Sequence, residues 1–222
     1  MNDDMKRALS LFTIIIITTS VFPFLFLFLF LQASPTLVSV TTGTGTGTDI
    51  LRETWNRTFT AYRNYNDASY AVQQTSDGGY ILVGVVQYSD KSSDALLVKT
   101  SSSGEQTWAK TFGGVSHDQA YAVQQTSDSG YILAGITFSF GNGLSDAWLV
   151  KTDSNGKELW NRTFGHSDQD WAYAVQQTTD GGYILAGATL SYGAGNEDAW
   201  LVKTDSEGNE LWNMTFGGAG YD

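Results

Sequence analysis

The chain has 222 residues, with 12 Lys and Arg against 23 Asp and Glu, 24 Gly, two Pro and no cysteine. The lack of cysteine excludes disulfides, thiolate nucleophiles and cysteine metal sites, and a net charge of −11 argues against nucleic acid, because an acidic surface repels phosphate. Plentiful Gly beside abundant Trp, Tyr and Phe predicts a turn-rich all-β protein.

Lys6 and Arg7 precede a nearly unbroken apolar run from Ala8 to Leu31. As a helix its 24 residues reach about 36 Å, enough to span a bilayer core. Pro23 falls within it, and a membrane helix tolerates such a kink. The run is apolar on every face, which fits lipid better than one side of a soluble core. Positive charge before the run keeps residues 1–7 in the cytoplasm and sends the rest across. Residues 8–33 therefore read as a transmembrane anchor or a signal segment. Ala33 is the fair small residue for cleavage, with Pro35 close behind. An uncleaved anchor is the favoured reading and a secreted chain the alternative. Residues 34–48 end in Thr41 to Thr48, TTGTGTGT, whose Gly/Thr alternation cannot pack a core and reads as a linker.

Beyond residue 48 the sequence repeats itself. Trp55-Asn-Arg-Thr-Phe59 returns at Trp108, Trp160 and Trp212, at spacings of 53, 52 and 52 residues. Tyr70-Ala-Val-Gln-Gln74 returns from Tyr121 and Tyr173, and Gly79-Tyr-Ile-Leu82 from Gly130 and Gly182. Asp94-Ala-Leu-Leu-Val-Lys99 returns from Asp146 and Asp198. Several blocks sharing one period define a structural repeat.

Each period holds four short strand candidates, a to d. In the second they are 121–126, 131–137, 147–152 and 158–164, rich in Val, Ile, Leu, Tyr, Trp and Thr. Turn chemistry such as Ser-Asp-Gly-Gly and Asp153-Ser-Asn-Gly156 separates them. Four antiparallel strands in about fifty residues is the pattern of a β-propeller blade. Residues 49–222 thus read as an all-β partial propeller of three full blades. An orphan d strand at 50–59 comes before them, and one N-terminal hydrophobic helix comes before that. Closed propellers typically have about four or more blades. The expectation is therefore an incomplete ring, either a fragment of a longer or truncated gene or a chain whose open edges invite self-association.

Asp118-x-Ala-Tyr-Ala-Val, Gly182-Tyr-Ile-Leu-Ala-Gly187 and Trp160-Asn-Arg-Thr-Phe-Gly165 resemble the propeller repeats of archaeal and bacterial cell-surface proteins. Lys151-Thr-Asp-Ser-Asn-Gly-Lys-Glu-Leu-Trp160 is similar to the turn-and-Trp end of quinoprotein-type, seven-bladed repeats. The resemblance implies a propeller fold and is nearly silent on function, since propellers host many activities.

Thr75-x-Asp77-x-Gly79, Thr126-x-Asp128-x-Gly130 and Thr178-x-Asp180-x-Gly182 resemble the front half of the sialidase Asp-box without its Thr-Trp tail. Their physical role is turn closure, by carboxylate bonds to backbone N–H groups. Only Arg52, Arg57, Arg63 and Arg162 lie beyond the anchor, too few for a sialidase arginine cluster. Asp153-Ser-Asn155 and Asp205-Ser-Glu207 look faintly like calcium loops but lack the ligand number of an EF-hand. Asp67, Asp118, Asp170 and Asp222 precede strand a, and Asp94, Asp146 and Asp198 precede strand c. Because d–a and b–c connections emerge together, both carboxylate sets crowd one face. They are either ligand-facing groups or caps for local backbone donors. Gln73-Gln74, Gln124-Gln125 and Gln176-Gln177 are expected to line the channel. His117 and His166 are not repeat-equivalent, so a zinc site is not expected. Asn56, Asn161 and Asn213 head glycosylation sequons on the outer strand, and Ala109 breaks that series.

No nucleophile–base pair, phosphate loop or cofactor motif stands out. The sequence therefore points to a non-catalytic extracytoplasmic propeller presenting a binding or structural surface at the cell envelope. Its expected partners are the membrane, through the N-terminal segment, and a protein or glycan. The alternatives are a calcium-dependent adhesin and the remnant of a quinoprotein-like or sialidase-like enzyme.

Overall fold

A computed structural model of the chain describes residues 57–59, 66–90 and 92–220. These belong to one of the two units into which the chain divides, Leu37–Asp222. The apolar run at 8–31 and the linker at 34–48 lie outside the described residues. Among the described residues no helix is long and apolar enough to cross a membrane.

Among the described residues, twelve strands form three antiparallel four-stranded sheets, each in sequence order. The first is β1 (Asn66–Gln74), β2 (Tyr80–Gln87), β3 (Ser93–Thr100) and β4 (Gln106–Phe112). The second is β5 (Asp118–Gln125), β6 (Tyr131–Thr137), β7 (Asp146–Thr152) and β8 (Glu158–Phe164). The third is β9 (Asp170–Gln177), β10 (Tyr183–Thr189), β11 (Asp198–Thr204) and β12 (Glu210–Phe216). β5 packs on the first sheet through β1, β2 and β3, and β9 on the second through β5, β6 and β7. Successive meander sheets laid face to face are the blades of a propeller-like arc.

The strand boundaries follow the hydrophobic pattern, with three corrections. The first strand of the middle sheet starts at Asp118, three residues before Tyr121, and ends at Gln125, one before Thr126. The third starts at Asp146, one before Ala147. The aspartates thus open these strands, because each has a paired partner opposite: Asp118 faces Thr137, and Thr137 faces Asp146. Of the orphan strand expected at 50–59, only 57–59 are described, and these three residues form no strand.

Each first strand carries a register shift at the same place, at Ser69/Ala71, Ala120/Ala122 and opposite Ala186/Gly187. The facing residue is Gly84, Gly135 or Gly187. A Cβ at Gly135 would strike the Gln119 carbonyl, so the bulge fits only against glycine. The core lies between sheets. Ile81, Val83, Ala95 and Leu97 meet Tyr131, Leu133, Trp148 and Val150 at the first junction. Ile132, Ala134, Ala147 and Leu149 meet Tyr183, Leu185, Trp200 and Val202 at the second.

Candidate binding face

The d–a and b–c connections come together at one end of the sheets, as the repeat order requires. There Asp94 and Asp118 converge on Gly113, and Asp146 and Asp170 on Gly165. A Cβ at Gly165 would lie 2.5 Å from Asp146 Oδ1, so each carboxylate pair straddles a junction between sheets with room only for glycine.

These carboxylates are internal. Asp118, Asp146, Asp170 and Asp198 are all buried. Asp118 accepts from the Gly114 N–H at 2.8 Å, the Ser139 hydroxyl at 2.6 Å and the Thr137 hydroxyl. Asp170 repeats this with the His166 N–H at 3.1 Å, Ser191 Oγ at 2.6 Å and the Thr189 hydroxyl. Asp94 accepts from Tyr88 Oη at 2.9 Å and Asp198 from the Ala194 N–H at 2.8 Å. Asp67 is the second residue of β1, opposite Val86, and Asp222 lies outside the described residues. Burial pushes Asp146 up to about 6; the Asn142 N–H opposes this and the neighbouring Asp170 adds to it. Burial also raises Asp94, with Asp118 contributing, although the Tyr88 hydroxyl pulls the other way. Asp118 and Asp170 act as anchors for loops, because both oxygens of each accept from donors there, whereas Asp198 Oδ1 is buried without a partner.

On this face exposed apolar side chains stand beside exposed polar ones such as His117, Asn142 and Asp168. Val115 is 93% exposed, Leu144 60% and Phe138 43%. Phe138 meets His117 edge-on at 6.4 Å, and its N–H donates to the His117 carbonyl. Leu190 repeats that backbone bond with Gln169. Phe140 and Tyr192 lean on Trp148 and Trp200 at 5.9 and 5.6 Å. The loops depart from the repeat where the frame beneath keeps it. Ser167 stands at the place of Val115, Asn196 at that of Leu144 and Leu190 at that of Phe138.

The opposite end holds the Thr-x-Asp-x-Gly turns. Asp77, Asp128 and Asp180 each accept from the turn Thr hydroxyl, and from the turn glycine N–H at 3.0 Å. Each also pairs with a lysine of the third strand: Lys99, Lys151 or Lys203, at 2.8, 2.8 and 2.9 Å. The lysines donate in addition to the carbonyls of Thr100, Thr152 and Thr204. Lysine and turn bonds hold Asp77 and Asp180 far below the usual carboxylate range. Burial opposes the same bonds at Asp128, which settles at about 2. The repeating lysine was not singled out in the sequence as the partner of the turn aspartate.

The glutamine pairs stitch neighbouring sheets. Gln73 Oε1 accepts the Gln125 N–H and Gln124 Oε1 the Gln177 N–H, both at 2.6 Å. The sequon asparagines are also engaged. Asn161 accepts from Trp148 Nε1 at 3.5 Å and donates to Glu158 at 2.7 Å; Asn213 does the same with Trp200 and Glu210 at 3.3 and 2.6 Å. In the first sheet both members change together, to Leu96 and Ala109. The missing sequon there therefore tracks the missing Trp. Asn56 lies outside the described residues. Among the described residues no group of three or more His, Asp or Glu could hold a metal ion.

No protein-family model matches the chain, and no curated protein matches it. Among solved structures, it is similar to a eukaryotic initiation factor at 12% identity and a TM-score of 0.43, covering 77% of this chain and 37% of that one. It is similar to a protein of unknown function from Bacteroides caccae at 12% identity and a TM-score of 0.38, covering 74% and 72%. It is also similar to the Pan2 WD40 domain of Neurospora crassa at 11% identity and a TM-score of 0.39, covering 70% and 58%. The chain thus spans little more than a third of the initiation factor's length.

Proposed function

We propose that the chain is a non-catalytic binding protein, membrane-anchored with its sheets outside the cytoplasm, whose loop face engages a protein of the cell envelope. One observation carries this reading. A frame repeated sheet by sheet presents loops that break the repeat toward exposed apolar side chains at Val115 and Leu144, beside the exposed Phe138. Repeated residues serve the fold, whereas a solvent-facing apolar patch on loops costs solubility and fits a partner surface. The carboxylates beneath hold the loops in place.

The experiment places a photo-reactive amino acid at Phe138 in the full chain on intact cells, with Leu159 on β8 as the control. External protease should reach the chain, and adducts to envelope protein should form at 138 and not at 159. The substitutions Val115→Ser and Leu144→Asn install residues that the third repeat already carries. They should leave thermal stability within about 0.5 kcal/mol and abolish the adducts. Equal adducts at both positions, or none, would refute the binding face; protection from protease would refute the location.

A further inference from the structure

The third sheet has one face toward the second sheet and one face open. Trp200 and Val202 point into the junction and are buried, while Ala199, Leu201, Met214 and Phe216 alternate with them on the other side. Phe216 is 50% exposed, whereas Phe112 and Phe164, at the same place in the first two sheets, are 7% and 6% exposed.

The two filled junctions define what such a face receives. Trp108 meets Tyr131 of the next sheet at 5.9 Å and 62°, and Trp160 meets Tyr183 at 5.8 Å and 63°. The next sheet's c–d turn lies on the same ring. A Cβ at Gly156 would come within 2.8 Å of Trp108, and one at Gly208 within 2.7 Å of Trp160. Backbone bonds run both ways: Gln124 Oε1 accepts the Gln177 N–H, and Gln177 Oε1 accepts the Ser127 N–H at 2.9 Å. Tyr70, Tyr121 and Tyr173 form a ladder at 5.6 and 5.7 Å. On the open face Trp212, Gln176, the Thr179 N–H and Tyr173 stand at the equivalent positions.

The chain after β12 takes the matching path. The connector 165–168 crosses the second sheet's b–c loop, where a Cβ at Gly143 would lie 2.6 Å from Ser167. The stretch 217–220 crosses the third sheet's loop in the same way, with Ala219 2.8 Å from the Cβ position of Gly195. After the first of these connectors the chain enters β9, which packs on the second sheet. The first sheet of a second copy is a poorer fit, because Leu96 and Val98 on its outer face are already 4% and 2% exposed. We propose that the open face of the third sheet is a docking surface for a fourth sheet of this same repeat, entered from the connector 217–220. Its partner must carry a tyrosine opening its second strand, a Gln-Gln pair closing its first and a glycine in its c–d turn.

The test extends the full chain with a copy of residues 171–216 placed directly after Asp222, which stands where Asp170 does. Phe216→Cys supplies the single thiol of a cysteine-free chain. Its labelling by a soluble thiol reagent should slow by about tenfold or more on extension, as expected for a site reached only by local opening. Replacing the added copy of Tyr183 by Ala should restore much of the rate. Fast labelling in the extended chain, whether the added repeat is folded or protease-sensitive, overturns the proposal. So does slow labelling of the unextended chain that speeds up on dilution, which would make a second copy the occupant.

Discussion

β7 and β11 have the same sequence, Asp-Ala-Trp-Leu-Val-Lys-Thr, and different surroundings. Every residue of β7 is buried, while in β11 Ala199 is exposed and Leu201 and Lys203 are half-buried. The buried residues of β11 are those that face the second sheet. An identical strand is therefore a core strand when sheets lie on both sides and a half-covered one when only one does. Burial here belongs to the junction and not to the repeat, as in other stacked repeats where each unit covers only its neighbour.

The largest way to break this comparison is through the phenylalanines. Phe164→Ala in the second sheet should cost about 3–5 kcal/mol, the range for a buried aromatic ring. Phe216→Ala should cost about 1 kcal/mol, since about half of its surface never leaves water. Leu149→Ala against Leu201→Ala should follow the same order, at about 2–5 kcal/mol for the first and clearly less for the second. Denaturant melts of the four variants read this out. Equal losses at 164 and 216 would mean that the third face is covered in solution.

The next contrast concerns charge at the second junction. Asp146 is buried and held up at about 6, against an ordinary value of 3.8. Asp170 and His166 face it across the junction, with Gly141 and the Asn142 N–H on its own loop. A raised carboxyl favours the fold while protonated. Its contribution is full below about pH 4 and is lost as the pH rises through about 6. Asp146→Asn should therefore be more stable than the parent at pH 7 by roughly 1–3 kcal/mol, and the gain should shrink toward pH 4. Melts at the two pH values check this, and a gain that persists at pH 4 would assign it to packing.

At the turn end the comparison should vanish, because all three sheets carry the Asp–Lys pair. Asp128, held at about 2, gives stability that is present above about pH 4 and lost as the pH falls toward 2. Its carboxylate is largely solvent-exposed, so the loss should be about 1 kcal/mol or less after screening. Asp128→Asn should flatten the acid limb of stability between pH 5 and pH 2 by that amount, measured by denaturant melts across the range.

The repeat made strands b and d of the middle sheet legible to the residue, since turn residues punctuate a strong apolar pattern at 131–137 and 158–164. Strand a was read short because Asp118-Gln119 looks like loop, and only the pairing with Thr137 and Ile136 makes it strand. The repeat order groups the carboxylate positions, but the bonds that hold Asp118 and Asp170 inside come from Ser139 and Ser191, about twenty residues further along the chain. The Lys–Asp pairs and the Gln stitching join residues about 22 to 53 apart through sheet register or sheet stacking, which no local pattern contains. One signal was available: Trp148 with Asn161, Trp200 with Asn213 and Leu96 with Ala109 vary together from repeat to repeat, as contacting residues do. Val115 and Leu144 on the loop face follow no repeat, with Ser167 and Asn196 at their places, so spacing could not single them out.

One feature runs against the better-packed middle sheet. Its a–b turn places Ser129 at φ 67°, where the first and third sheets have Gly78 at 80° and Gly181 at 86°. A side chain in the left-handed region costs about 1–2 kcal/mol. Glycine also gives up more chain entropy on folding, about 0.5–1 kcal/mol. The net gain from Ser129→Gly should thus be about 0.5 kcal/mol. The hydrogen bonds of the turn do not oppose the change, because Asp128 bonds the Thr126 hydroxyl and the Gly130 N–H and leaves residue 129 aside. The Ser129 N–H donates to the Thr126 carbonyl at 2.9 Å, and glycine keeps that donor. The reverse change, Gly181→Ser, meets open space around a Cβ, so only its backbone conformation resists it. It should lower stability by a similar amount. Melts of the two single variants and their combination settle the matter: opposite shifts that add show that the turn conformation sets the difference, whereas a loss at Ser129→Gly would mean that the serine side chain contributes a contact worth more than the strain.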